Sequence, residues 1–155
     1  MSSVKDLEPY AGNAEGLTGV LADIASTMPN PIVFKVVGYV VNAFENVTQG
    51  DVLYSRASDG QVGKAIANDT SDKAVVAGIA ETTVTAGSEV RVIVTGQVAV
   101  STSIDPGDLY FLSASSPGSL TKTPPTTARH YVTLVGEAAT SNQIVLKIKR
   151  PIQLG

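Results

Sequence analysis

The sequence predicts an all-β protein: an antiparallel β-sandwich or β-barrel, of the jelly-roll or β-tulip kind, preceded by an extended N-terminal arm and a short helix. Three observations predict this fold. Segments rich in Val, Ile and Thr follow one another from residue 32 onwards, no helix-length apolar pattern interrupts them, and turn signals divide them. The turn signals are Asp59-Gly60, Ala86-Gly87, Asp105-Pro106-Gly107 and Pro117-Gly118. Many short strands divided in this way are typical of sandwiches and barrels.

The composition fits one β domain that buries surface against partners. The 155 residues are 43% apolar but only 5% aromatic and 16% charged, so Val, Ile, Leu and Ala must form the core. A net charge of −3 gives no basic footprint for nucleic acid. The chain has no Cys, no apolar run of about 20 residues and no signal-peptide pattern in "MSSVKDLEPY". We therefore expect synthesis in the cytoplasm without export by the general pathway, and no nucleic-acid or membrane partner.

Residues 1–31 differ from the rest of the chain and predict a separate arm, followed by a single β domain over residues 32–155. Within the arm, apolar residues recur with the period of a helix over residues 17–28, and the segment 29–31 ends it with two prolines. The apolar stripe consists of Leu17, Val20, Leu21, Ile24, Ala25 and Met28. Because so short a helix is marginal alone, it must dock on the body of the same chain or on another chain. The sequence leaves both possibilities open.

The β domain contains an internal repeat, over about residues 50–98 and about residues 107–152. Both copies begin with Gly-Asp, continue through an apolar stretch with a Tyr, and reach a turn with Gly: "GDVLYSRASDG" and "GDLYFLSASSPG". An offset of 58 then matches later positions of the two copies: Gly60 with Gly118, Lys64 with Lys122 and Gly78 with Gly136. One such hairpin is not stable by itself, whereas two can bury one shared core.

The turn residues of the repeat have conformational reasons. Gly before Asp permits a positive φ, and Asp51 and Asp108 are predicted to cap their turns. Asp59-Gly60 suits a two-residue hairpin turn, and Pro117-Gly118 suits a type II turn. A Gly inside a strand, such as Gly78, marks a bulge or a close backbone approach.

No set of residues assembles into a catalytic, cofactor or metal site, which indicates a protein without enzyme activity. His130 is the sole His and stands at the start of a predicted strand, where a polar edge residue is expected. A Ser-His-Asp site would need a nucleophile and a carboxylate beside it. One His and no Cys leave too few ligands for zinc. A small hydrolase built on His130 is the remaining enzyme alternative.

Three other polar segments favour structural explanations. Asn68, Asp69 and Asp72 fit a polar turn, because a calcium loop needs a longer alternation of oxygen ligands. The glycine-containing segment 12–19 lacks the preceding strand and the Lys-Ser/Thr pair of a phosphate loop. The basic C-terminal end fits a solvent-facing strand edge, and an acidic partner surface is the alternative. That end consists of Lys147, Lys149 and Arg150.

Residues 36–152 resemble the repeating body of tailed-bacteriophage virion proteins, namely capsid decoration (cement) proteins and related fibre modules. The resemblance lies in "GDVLYSRASDGQVGKAIAND", "AVVAGIAETTVTAGSEVRVIVTGQVAV" and "GDLYFLSASSPGSLTKTPPTTARHYVTLVGEA". It implies a β-sandwich or barrel that forms homo-oligomers, with a trimer favoured over a dimer. It also implies a place on the outer capsid surface, where the protein clamps neighbouring major capsid subunits, with no enzyme activity and no cofactor.

Under this hypothesis, the apolar residues of the arm contact the capsid or a sister subunit. These residues are Val4, Leu7, Tyr10, Leu17, Val20, Leu21, Ile24 and Met28. The alternative function is a tail-fibre or capsid-fibre module that binds a host-surface glycan through aromatic side chains. Its candidate platform residues are Tyr54, Tyr110, Phe111 and Tyr131, although these also fit a core, and the chain has no Trp.

Overall fold

The computed structural model describes residues 35–155, and its body is built from antiparallel β-sheets. The predicted arm over residues 1–31, its helix over 17–28 and the eight apolar contact residues proposed there lie outside the described residues. No helix within residues 35–155 is long and apolar enough to cross a membrane.

The first sheet has five strands in the order β1-β5-β4-β2-β3, and every pairing is antiparallel. Its strands are β1 (Val37–Asn42), β2 (Val52–Ser55), β3 (Val62–Lys64), β4 (Gly78–Ala80) and β5 (Glu89–Thr95). A single helical turn, α1 (Ser71–Ala74), lies between β3 and β4. The Thr70 side chain caps it by accepting a hydrogen bond from the Lys73 amide.

The second sheet also has five antiparallel strands, in the order β6-β11-β10-β7-β8. Its strands are β6 (Gln97–Ala99), β7 (Leu109–Leu112), β8 (Leu120–Thr121), β10 (Leu134–Ala138) and β11 (Gln143–Leu146). Two short strands, β9 (Tyr131–Val132) and β12 (Ile152–Gln153), form a separate antiparallel pair.

The two sheets have the same topology. In each sheet, counted in chain order, the first strand pairs with the last and the second strand pairs with the third. Their registers agree as well, because Gly78 lies opposite Leu53 in the first sheet and Gly136 lies opposite Tyr110 in the second. A Cβ added to Gly78 would collide with the carbonyl oxygen of Ile93. The prediction of an all-β antiparallel fold built from two similar hairpin units is confirmed.

The two Gly-Asp turns are also equivalent. Asp51 N donates to Thr48 O over 2.9 Å, and Gly50 has a φ of 94°. In the second unit, Asp108 N donates to Asp105 O over 3.2 Å. The Asp51 carboxylate caps its turn as predicted, accepting a 2.8 Å hydrogen bond from the Thr48 amide. The cap predicted for Asp108 is not formed, because the matching amide, Asp105 N, donates to the Tyr110 hydroxyl, and the Asp108 carboxylate lies 3.3 Å from Lys122 Nζ.

The hairpin tips differ from the sequence prediction in one respect. The Asp59-Gly60 turn is wider than the two residues predicted, because Arg56 N bonds to Gln61 O across the four residues between them. A two-residue type I′ turn would need a positive φ at both central residues, and only Gly60 has one, at 77°. In the second unit, Gly118 also has a φ of 77°, as a type II turn requires.

One apolar core contains residues of both sheets. Val52 and Ile79 of the first sheet and Leu112 and Ile144 of the second belong to the same buried cluster. A second cluster lies on the opposite face of the first sheet and includes Leu53. The first sheet is therefore covered on both faces over its strands β2 to β5, while the second contributes one face to the shared core.

Candidate functional site

The first strand of the body exposes a row of apolar side chains, which we call the β1 edge. It consists of Val36, Val37, Tyr39 and Val40, whose exposed fractions are 46%, 41%, 39% and 57%. Within the described residues, β1 pairs with β5 alone and so forms one edge of its sheet, while the residue that follows it, Ala43, makes a parallel bridge to Val62 of β3. Their exposure is not evident from the sequence, because an alternation of Val and Tyr is equally typical of a buried strand.

A close backbone approach holds the start of the β1 edge in place. Gly96 has a φ of 103°, and a Cβ there would lie 2.8 Å from both Lys35 O and Val36 Cα. Thr95 Oγ1 adds a 3.4 Å hydrogen bond to Lys35 O. A larger residue at position 96 would push the edge away from the sheet, so the position of the edge depends on this glycine.

The chemistry of the β1 edge suits contact with another protein. Val40 lies opposite Arg91 and Tyr39 lies opposite Val92, so the two neighbours point to opposite faces of the sheet. Partial burial raises the pKa of the Tyr39 hydroxyl above its ordinary value. Edge strands that remain unpaired usually carry Lys or Pro, and Val36 to Val40 carry neither.

A second notable surface is the junction at which the hairpin tip of the second unit meets the first unit. Val52 N donates to Gly118 O over 2.9 Å, and Gly118 N donates to Ala65 O over 2.8 Å. Ala67 N adds a bond of 3.0 Å to Ser113 O. The junction is tight, because a Cβ on Gly118 would lie 3.1 Å from Asp51 Cγ.

The carboxylate of Asp51 is half-buried at the junction. Burial raises the pKa of Asp51, while the Thr48 amide and the charge of Lys64 act in the opposite direction. The carboxylate of Glu45 raises it further. Asp51 therefore holds its proton to a higher pH than an exposed Asp would.

Two groups of exposed ion pairs lie elsewhere on the surface, one at the hairpin tip of the first unit and one beside the Gly-Asp turn of the second unit. Arg56 lies 2.6 Å from Asp59 and stacks 4.0 Å above the ring centre of Phe44. The hydrogen bond from Arg56 lowers the pKa of Asp59. Lys122 Nζ lies 2.6 Å from Asp105 and 3.3 Å from Asp108, and these carboxylates raise the pKa of Lys122.

His130 lines a cleft with Ser113 and Ser115, and among residues 35–155 no Asp or Glu lines the same cleft. The Ser113 hydroxyl is engaged in the turn, where it accepts hydrogen bonds from the amides of Ser115 and Ser116, each 3.1 Å long. His130 uses its backbone to bond with Thr127 and Leu154. The cleft therefore holds a hydroxyl and an imidazole without the carboxylate that would orient the imidazole.

The aromatic residues of the glycan alternative have different environments. Tyr54, Tyr110 and Tyr131 are buried, and Phe111 is half-buried. The Tyr110 hydroxyl accepts a 2.8 Å hydrogen bond from the Asp105 amide, which fixes it in the turn. These three tyrosines pack in the shared core, and at most 9% of each is exposed.

The remaining charged candidates form local contacts. Asp69 pairs with Lys73 over 2.7 Å, and Lys147 pairs with Glu137 over 2.6 Å. Lys149 is exposed, as is the neighbouring Arg150. Within residues 35–155, no three His, Asp or Glu side chains are grouped so that they could hold a metal ion.

Compared with models of known protein families and with curated proteins, the chain matches none.

Proposed function

We propose that the chain is a non-enzymatic structural protein of a tailed-phage virion. In this proposal it binds the outer capsid surface and stabilises the shell by clamping neighbouring major capsid subunits. The observation that carries the proposal is the β1 edge, an uncharged apolar edge strand with exposed side chains on both faces. Such a strand can add to a sheet or to an apolar surface of another protein. The resemblance of residues 36–152 to capsid decoration proteins supplies the identity of the partner.

The proposed mechanism is linkage between binding and shell stability. A protein that binds the assembled shell and not its separated subunits stabilises the shell by mass action. A homo-oligomer, with a trimer favoured over a dimer, would multiply the effect because its contacts act together. The arm residues predicted from the sequence, which include Leu7, Leu21 and Met28, would supply a further contact with the capsid or a sister subunit.

Binding of purified protein to undecorated shells tests the proposal. Val40→Lys places a charge on the β1 edge and should weaken binding about tenfold or more without loss of folding, since Val40 is 57% exposed. Val75→Lys is the matched control, because Val75 is 50% exposed outside the edge. Deletion of residues 1–28 tests the arm separately. If Val40→Lys and the deletion variant both bind shells with full affinity, the proposed contacts are wrong.

The fibre alternative has less support. Three of its four proposed aromatic platform residues, Tyr54, Tyr110 and Tyr131, are buried. The hydrolase alternative would require His130 to act with a nucleophile and a carboxylate, and no carboxylate of the described part of the chain lines its cleft. His130→Ala should therefore leave shell binding unchanged.

A further inference from the structure

The two units of the chain meet head to tail. The tip glycine of the second unit, Gly118, packs against Asp51 and Lys64 of the first, with 3.1 Å and 3.2 Å from the place of its Cβ to the nearest atom of each. The tip glycine of the first unit, Gly60, has no described atom within 4 Å of the same place. A two-fold arrangement would cover both tips, so the contact joins two different surfaces.

The orientation of the strands leads to the same conclusion. In β2, Val52 and Tyr54 point into the shared core, whereas in β7 Tyr110 and Leu112 do so. The residue that matches Val52 in the repeat is Leu109, which points to the other side of its sheet. Opposite faces of equivalent sheets therefore meet in the core. The outer face of the second sheet therefore corresponds to the face that the first sheet turns towards the shared core.

That outer face is open among the described residues, and its apolar side chains lie beside Glu137, which is paired with Lys147. Leu109 is 46% exposed, whereas the matching Val52 is fully buried. Phe111 and Val145 on the same face are half-buried. A Cβ on Gly107 would meet no described atom within 4 Å. We call this face, with Asp108 and Lys122 at its margin, the vacant face.

We propose that the hairpin tip of residues 57–60 in one copy of the chain occupies the vacant face of a second copy. The occupant is a second copy because the tip of the second unit already docks on Asp51 and Lys64 of the first unit in this way. The two tips are similar: "ASDG" and "ASSPG" both begin with Ala-Ser and end in a Gly with a φ of 77°. Asp108 and Lys122 stand where Asp51 and Lys64 contact Gly118. A head-to-tail contact of this kind closes into a ring or continues as a chain.

Two replacements make the contact between copies weaker than the one within the chain. Ala67 N donates to Ser113 O, but the matching residue of the second unit is Pro125, which has no amide hydrogen. The buried Ile79 is matched by Glu137. We therefore expect an association that depends on protein concentration.

Sedimentation of the full chain at increasing concentration is the first test. The wild type should exceed the monomer mass of 16.0 kDa, and Leu109→Asp should weaken the association about tenfold or more. Val75→Asp is the matched control, because Val75 is exposed to a similar extent, 50%, outside the vacant face. A wild type that stays monomeric at every concentration, or a Leu109→Asp variant that associates normally, would overturn the proposal.

Cross-linking then tests the geometry, since the chain has no Cys of its own. A double variant with Ser58→Cys at the tip and Lys122→Cys at the vacant face should give a covalent ladder with a short bismaleimide. Each single variant should give none. Cross-linking of Ser58→Cys alone would mean that two tips meet symmetrically, and the proposal would be wrong. These tests need only the purified protein. If the chain associates but binds no shell, the proposed function is wrong and the proposed contact between copies still holds.

Discussion

The backbone amide of Val52 donates a 2.9 Å hydrogen bond to the carbonyl oxygen of Gly118, and this bond joins a strand of the first unit to the hairpin tip of the second. The amide of Gly118 in turn donates to Ala65 O, so the tip is bonded on both sides. Together with the core that both sheets share, these bonds indicate that the two units fold as one body.

The shared core predicts a single unfolding transition. Ile79 in the first sheet and Leu112 in the second are fully buried in the same cluster. Replacement of either by Ala should lower the free energy of unfolding by about 2–5 kcal/mol. Denaturation followed by tyrosine fluorescence and circular dichroism should show one transition in both variants. Two transitions, of which each variant moves only one, would mean that the units unfold independently.

The matching strand glycines, Gly78 and Gly136, predict that replacement by Ala destabilises the protein similarly in the two units. A Cβ at Gly78 or Gly136 would collide with the backbone carbonyl oxygen of Ile93 or Val145, respectively. Gly78→Ala and Gly136→Ala should each destabilise the protein by about 1–3 kcal/mol, because the neighbouring strand must move. Gly155→Ala, at an open position, is the control and should change nothing. An unchanged denaturation midpoint for either strand variant would contradict the proposed equivalence.

The environment of Asp51 predicts that the substitution Asp51→Asn increases the free energy of unfolding by an amount that depends on pH. Because burial raises the pKa of Asp51 above its usual 3.8, the native state keeps its proton between pH 3.8 and the folded-state pKa, where the unfolded chain has lost it. Its stabilising contribution is therefore present below pH 3.8 and is lost as the pH rises through the folded-state pKa. Asp51→Asn keeps an oxygen for the Thr48 amide and should raise stability at pH 7 by up to about 1 kcal/mol.

Thermal melts of Asp51→Asn and wild type at several pH values between 3 and 7 would measure this gain. The difference between the two proteins should shrink towards the acid end of the range. Asp108→Asn is the control, because the carboxylate of Asp108 is exposed and paired with Lys122. A gain for Asp51→Asn that is the same at every pH, or the same gain for Asp108→Asn, would show that the burial of Asp51 is not its cause.

The buried hydroxyl of Thr133 predicts a loss of stability on removal. Thr133 Oγ1 donates a 2.8 Å hydrogen bond to Ala74 O and is fully buried. Thr133→Val keeps the shape and leaves that carbonyl without its donor, which should cost about 1–3 kcal/mol in the free energy of unfolding. Thr140→Val, at an exposed position, should cost much less. Equal denaturation midpoints for the two variants would show that the bond contributes nothing.

The repeat was predictable from the sequence because its signals are local. Gly78 and Gly136 are needed wherever two backbones approach, and the Gly50 and Gly107 turns need a positive φ. The width of the Asp59-Gly60 loop was not predictable from that dipeptide, because the loop extends from Arg56 to Gln61. Residue type alone favours the shorter turn.

The exposed surfaces could not be read from the sequence. Val52 and Leu109 occupy the same place in the repeat, yet one is fully buried and the other is 46% exposed. The difference arises from how the two sheets stack, which no local pattern encodes. The exposure of Val40 has the same origin, since an apolar residue in a β-branched strand is compatible with either environment.

The number of copies per particle tests the central claim most directly. It can be measured by quantitative mass spectrometry of purified virions, against the major capsid protein as the internal standard. A protein that clamps neighbouring capsid subunits should be present at roughly one copy for each of them. A handful of copies per particle, or none, would contradict the account; a handful would place the protein in the tail or a fibre.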